Sequence, residues 1–296
     1  MKRLLTARPK EHRDDVAHGA SRRKEYPLRN DIWSLPMPPS TIGGINLLPE
    51  PEKRAIYARY IPMALLEKYK LPPLTSAAGY NLLQFRFAPG STDVEMRLFH
   101  EMDFPDPILY AHLTDTLNGQ IHILLYILNA PGTTRFDVDK MPDGSPTQFG
   151  TLRRNIPAEQ SALEAGLAPG QVRRGLRLLG QAIEAFENFV IALGHDVYFI
   201  EPLYYHNAVI FERYGFNYQM GKRLMNSIHA GFQPGGDLLA QLDGSNPFRQ
   251  PEAANSIRKR SWAIHDGILG EPFTNVTMYK QVGKSAGIHT TPDCVW

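Results

Sequence analysis

The chain has a single cysteine, Cys294, in its 296 residues, so no internal disulfide braces it. That usage fits a reducing compartment, and the expectation is a cytoplasmic protein. No uninterrupted apolar run comes near the ~18 residues that mark a membrane-crossing helix. The opening stretch MKRLLTARPKEHR is basic but lacks the apolar segment of a secretory signal. No GxSxG, Walker loop or well-placed GxGxxG occurs, which removes motif support for serine hydrolases, P-loop nucleotidases and dinucleotide dehydrogenases. The ten histidines include no HExxH or comparable ligand spacing, so no metal ligand set is assigned. Strong net charge is absent too, at +2, although residues 1–30 hold nine Lys or Arg against four acids. A basic arm of that kind can meet nucleic acid or a membrane surface. Without an amphipathic helix or interleaved aromatics it reads as a solvated tail, so neither is the expected partner.

What the sequence does have is apolar material: 43% hydrophobic and 10% aromatic residues, enough at this length for a sizeable core. Residues 1–49, with SLPMPPSTIGG, read as an extended arm. A helix follows at 50–70, with Ile56, Tyr60, Met63 and Leu66 near helical spacing and Pro62 splitting it. Residues 80–89 have strand character. In ILYAHLTDTLNGQIHILLYILN, residues 108–129, two β-prone runs flank Asn118-Gly119. This is the strongest hairpin signal in the chain. A two-residue turn there pairs Asp115 with His122 and sends His112 and His122 to opposite faces. Both faces are largely apolar, so a sheet covered on both sides is expected.

A second hairpin is read at 134–152 and a helix at 157–165. Residues 169–194 carry apolar side chains at 176, 179, 183, 186, 190 and 193, a helical face ending on Gly194. A strand at 195–203, a short helix at 207–214 and a strand at 216–225 follow. A helix near 252–264 and a closing strand at 275–283 complete the reading. The organisation expected is an arm and helix (1–78), a core (79–225), and a C-terminal insertion with its closing strand (226–296).

Taken in order, residues 108–225 run hairpin, strand, loop, helix, strand, short helix, strand. The joints are PGQVRRGLR (169–177), Gly194 and FERYGF (211–216). Together they resemble the Gcn5-related N-acetyltransferase (GNAT) superfamily. The resemblance covers the middle of the chain, roughly 120 residues, and its motifs are degenerate. It implies an α/β fold with a mixed, mostly antiparallel sheet flanked by helices, extended at the N-terminus and carrying a C-terminal insertion. It also implies acyl transfer from an acyl-coenzyme A to a small-molecule amine or amino-acid-like acceptor.

In that family a loop of the pattern [RQ]-x-x-G-x-[GA] opens a helix whose free amides hold the pyrophosphate, aided by the helix dipole. Carried over here, the cofactor-binding positions are Val172, Arg173, Arg174, Gly175, Leu176 and Arg177, with Asn207 and Phe211 on the short helix. Only Gly175 keeps the pattern. Val172 replaces its polar first residue, and Arg177 stands where Gly or Ala belongs.

Many relatives place a Tyr four residues before the final Gly as general acid. That position is Phe211, which has no proton to give. Tyr214 points about 300° away around the helix, and Tyr204 or Tyr205 would have to substitute. Glu201, at a strand end, and His206 are the candidate bases toward an amine. Asn207 also reads as an N-cap. A scaffold without the chemistry, binding another anion or a metal near Glu201, His206 and Glu212 with His112 or His122, stays open as the alternative.

Overall fold

The computed structural model describes residues 39–74, 76–148 and 153–296. The basic stretch at residues 1–30 lies outside the described residues.

A seven-stranded mixed sheet organises the chain, in the order β1-β2-β3-β4-β5-β7-β6. Its strands are β1 (Leu83–Arg86), β2 (Asp93–Leu98), β3 (Leu109–Asp115), β4 (Ile121–Leu128), β5 (Val197–Ile200), β6 (Asn217–Met220) and β7 (Thr277–Gln281). All neighbours pair antiparallel except β4 and β5. The closing strand β7 returns from the C-terminal segment to insert between β5 and β6.

Rows of paired residues define the two faces. Phe85, Met96, Ala111 and Tyr126 form one row, and Val94, Leu113, Ile123, Ile200 and Met278 another. Both rows belong to the face that the helices cover. There α2 (Glu50–Tyr57), a 3-10 turn (Ala58–Tyr60), α3 (Met63–Lys68) and α6 (Leu179–Ala192) meet the sheet. Tyr60 packs edge-on to Phe186 and Phe189, and Phe186 packs on Tyr198. Burying each such side chain is worth about 1.5–3 kcal/mol.

The opposite row, Asp93, Thr114, His122, Phe199, Tyr279 and Asn217, is half-buried or exposed. The expectation of a sheet covered on both sides is therefore corrected for the described residues. Polar groups occupy every position of this row except Phe199.

The hairpin forms where Asn118-Gly119 predicts, but in another register. Thr116 and Gln120 close the loop through Thr116 N–H to Gln120 O at 2.8 Å, and Gly119 takes φ +75°. A three-residue loop with a left-handed third residue replaces the two-residue turn. The last pair is Asp115 with Ile121, and His122 faces Thr114. One residue of slip flips every side chain, so His112 and His122 share the open face. Further on, the register shifts between His112 and Leu113, leaving Leu124 as a bulge. Ile121 and Ile123 before it, and Tyr126 and Leu128 after it, thus all face the helices.

Pro62 splits the 50–70 helix as expected. Residues 42–46, read as part of an arm, instead form helix α1 (Ile42–Asn46), capped by Thr41 and held by Asp115, which accepts from Ile42 N–H at 2.7 Å and Gly43 N–H at 2.8 Å. Among the described residues the second hairpin reduces to a turn, Gly144 N–H to Met141 O, with isolated bridges of Lys140 with Pro146 and of Gln148 with Arg153, while residues 149–152 of that reading lie outside the described residues. Beyond it α5 (Ile156–Glu164) packs on α10 (Ile257–His265) through a small second core containing Ala162, Leu167, Phe248 and Trp262.

The Tyr205–Arg213 helix, α7, covers the β6–β7 end and ties down the C-terminal segment. Its Glu212 is 3% exposed and accepts from Tyr218 Oη (2.5 Å), Thr290 N–H (2.9 Å) and Thr290 Oγ1 (2.6 Å). Glu212→Ala leaves those buried donors without an acceptor, at an expected cost of about 3 kcal/mol. A lower denaturant midpoint and faster proteolysis near residues 284–292 are the readouts. An unchanged midpoint would show that the carboxylate does not anchor the tail.

Candidate functional site

Strands β4 and β5 touch over only two residue pairs, His122 with Phe199 and Ile123 with Ile200. The last bond is Glu201 N–H to Ile123 O at 3.1 Å. Past it β4 continues to Leu128, whereas the other strand has ended and leads through Pro202 into α7. Residues 124–127 therefore have no ladder partner on that side. The slot closes again where Asn129 bridges Gly175 and Ala130 N–H donates to Arg174 O at 2.9 Å.

Three residues after that bridge the chain enters α6. The helix expected from residue 169 starts at Leu179 instead. Gly170 (φ +76°) and Arg177 (φ +59°) are left-handed, and Gly175 is extended in its bridge; none of these is helical backbone. Of the predicted face, Phe186, Val190 and Leu193 are buried and Ile183 half-buried against the core; Ala182 and Phe189 complete the buried stripe, Leu179 is only half-buried, and Leu176 is buried just ahead of the helix. The N-cap is Leu178, which offers no side-chain oxygen, so no side chain caps the first-turn amides. Beside them, a Cβ on Gly180 would stand 3.6 Å from the Tyr214 ring and 4.0 Å from its hydroxyl.

The six loop positions divide in their surroundings. Val172 accepts from Phe136 N–H at 2.8 Å and packs on the second core. Arg173 is buried: its Nε donates to Asp106 at 2.8 Å, its Nη1 to the carbonyls of Pro131 and Thr133, and the guanidinium lies over Phe104. Arg174, Gly175 and Arg177 are exposed. Arg174 donates to Ala165 O at 3.1 Å, and Arg177 makes no hydrogen bond or ion pair with the described residues.

His206 sits inside α7, not on a loop. Its Nδ1 is 2.8 Å from Ser261 Oγ on α10, and Tyr204 and Trp296 pack on its ring. Burial, with the charges of Arg258 and His265, pushes its pKa down to about 3. It is a neutral packing group between two helices and does not open on the slot. Tyr205 is fully buried beside Phe273, its hydroxyl pushed up to about 12 by burial. Asn207 is not the N-cap; Tyr204 is, without a side-chain bond, and Asn207 N–H donates to its carbonyl at 3.0 Å. Phe211 packs on Phe216 at 5.2 Å. Among the described residues no group of three or more His, Cys, Asp or Glu is placed to hold a metal ion, so Glu201, His206 and Glu212 do not form one.

Glu201 is exposed and stands where β4 and β5 part. Two residues beyond Phe199 on the same strand line, it shares the open face with His122. Burial lowers the His122 pKa, and the Glu201 carboxylate opposes that in part, so the imidazole is neutral at pH 7. The pair was not singled out from sequence, because its proximity depends on the hairpin register and on a contact between strands 77 residues apart in the chain.

A cleft of about 200 Å³ lies at the same end of the sheet as the free half of β4, lined by Asn81, Gln84, Phe99, Glu101, Asp103 and Phe104 among others. Leu98, just before Phe99, pairs with Leu109, which pairs with Leu128. Phe104 also touches Arg173, so the cleft adjoins the loop ahead of α6.

Comparison with protein-family models, with curated proteins and with solved structures gives no match. The class defined by the coordinates is a mixed α/β protein whose open, mostly antiparallel sheet is flanked by helices.

Proposed function

We propose that the protein transfers an acyl group from acyl-coenzyme A to an amine, on a GNAT-like scaffold. The observation that carries this reading is the slot between β4 and β5, followed directly by the uncapped N-terminus of α6. Free amides and the positive end of a helix dipole suit a diphosphate. Arg177 and Arg174, both exposed beside that helix end, add positive charge. The slot offers unpaired β4 backbone to an extended pantetheine arm.

At the near end of the slot, on the open face where β4 and β5 part, His122 and Glu201 are the base candidates. The amine nitrogen bonds to the acyl carbon, the C–S bond breaks, the thiolate departs, and the amine proton passes to His122 directly or through water. Glu101 and Asp103 give the adjoining cleft affinity for a cationic acceptor.

Phe211 favours a second reading, a scaffold that binds an anion without the chemistry, since its ring is packed on Phe216 where a proton donor is expected. Thermal shifts separate the two. Coenzyme A and acetyl-CoA at 100 times their Kd are expected to stabilise the fold by about 2.7 kcal/mol, with sulfate and phosphate weaker. Turnover of acetyl-CoA with an amine panel then decides for the enzyme; a shift with simple anions alone decides for the scaffold.

A further inference from the structure

Arginines on β2 and around the second core meet carboxylates: Arg97 with Glu95, Arg154 with Glu159 and Asp266, Arg249 with Asp266. Arg174, Arg213 and Arg258 make no ion pair with the described residues, and contacts join them into one cluster. Arg174 Nη2 donates to Ala165 O at 3.1 Å, and Arg258 Nη1 lies 3.4 Å from where a Cβ on Gly166 would stand. The Arg258 guanidinium also lies over the Trp296 ring, 5.4 Å from its centroid, and Arg213 lies over the same ring at 5.8 Å. Trp296 is 42% exposed, with His206 packed on it from α7.

Like charges so placed repel one another. Arg258 stands in the first turn of α10, where the helix dipole also opposes a cation, and burial with the charge of Arg174 lowers its pKa. The Ala165 carbonyl at the end of α5 and the place of Arg213 in the last turn of α7 offset only part of this. An anion relieves the rest. The indole already orders two of the guanidinium forks, so less freedom is lost when they bind oxygen atoms. A planar fork takes two oxygens of a phosphate. The cluster adjoins the end of α6: Arg174 lies on the loop leading into it, and Tyr214, next to Arg213, has its ring beside Gly180. Arg258 and Trp296 belong to the C-terminal segment, to which the reading above gives no part.

We propose that Arg174, Arg213 and Arg258, the last two held on Trp296, form a subsite for the 3′-phosphate on the adenosine of coenzyme A. This rests on the thioester reading above. The α6 end then takes the diphosphate and the arginine cluster takes the phosphate monoester beyond it, a group close to dianionic at pH 7. The C-terminal segment thereby selects the phosphorylated coenzyme over its dephosphorylated precursor.

The test is calorimetric titration with coenzyme A and with dephospho-coenzyme A, which lacks only the 3′-phosphate. The wild-type protein should bind coenzyme A about 10-fold more tightly than the dephospho form, by a margin that narrows at high salt. In R213Q/R258Q coenzyme A should weaken about 10-fold while the dephospho form stays within about twofold, so the preference disappears. The melting temperature checks the fold. Arg213 is exposed at a helix end, so R213Q alone carries the test if the double variant melts early; it should lose about threefold for coenzyme A only. Equal wild-type affinity for the two ligands, or an equal loss for both in the variants, overturns the subsite and leaves the thioester reading in place. If the wild-type protein binds neither ligand, that reading fails and the subsite falls with it.

Discussion

Lowering the pH from 7 to 5 is expected to strip about 2 kcal/mol from the protein's stability, most of it through His206. This imidazole is 3% exposed and titrates at about 3 in the folded state, against about 6.5 when unfolded. A histidine whose folded pKa is depressed contributes its full stability above pH 6.5. Below that the unfolded chain takes up a proton that the folded chain refuses, so stability falls steadily toward pH 3. Each pH unit in that window costs about 1.4 kcal/mol.

Every neighbour acts the same way. Ser261 accepts or donates without charge, Arg258 and His265 repel a second positive charge, and Tyr204 and Trp296 exclude water. His122 and His229 are also lowered and contribute a residual slope. The check is urea unfolding at pH 7, 6 and 5 for the wild-type protein and for H206F/S261A, which replaces both hydrogen-bond partners by apolar groups. The variant should flatten most of the slope. An equally steep variant would place the acid sensitivity elsewhere.

Glu159 supplies a separate limb at lower pH. Burial alone would raise its pKa, but hydrogen bonds from His265 and Arg154 outweigh that, so it is lowered overall. Its stabilisation is complete above about 4.5 and disappears as the pH falls through its folded value. The His206 window opens two units higher, so His206 sets the slope between pH 6.5 and 4.5, and below 4.5 the Glu159 loss adds to it.

How much of this was legible in the sequence depends on the range of the interactions involved. The split helix at 50–70, the turn at Asn118-Gly119, the helical face of 179–193 and the turn closing FERYGF are local, and each was readable from spacing or turn chemistry. The hairpin's register was not, because Thr116 and Gln120 bond across a longer loop than Asn-Gly alone suggests. The bulge at Leu124 hides within ILLYIL, a run apolar at both parities. The start of α6 was misplaced by ten residues for a related reason. Gly175 is held extended by Asn129, 46 positions earlier, and Arg177 takes a left-handed φ that its side chain disfavours. Past β6, residues 222–231 form a helix where the strand was extended to 225; Gly221, at φ +94°, ends the strand and begins that helix. Within the site, the loop's residues are nameable from sequence, but the division between buried Arg173 and exposed Arg177 depends on Asp106, brought in from the β2–β3 connection.

Gly180→Asp is expected to weaken coenzyme A binding at least tenfold while leaving the fold as stable as before or more so. The position is in the first turn of α6, where no side chain caps the amides. A new Cβ meets only the Tyr214 ring, at 3.6 Å, an ordinary contact. A carboxylate there complements the helix dipole and stabilises the folded protein by about 0.3–1 kcal/mol. The same charge competes for the amides that a pyrophosphate would use and repels it across a few ångströms, worth about 1–4 kcal/mol near a protein surface. Stability and affinity thus move in opposite directions, which no general loosening of the structure would produce. Gly180→Asn, of equal size and without charge, should keep most of the affinity, and the gap between the two variants should narrow at high salt as the charges are screened. If the aspartate variant binds coenzyme A as well as the wild-type protein does, the anion sits elsewhere and the helix end has no part in holding it.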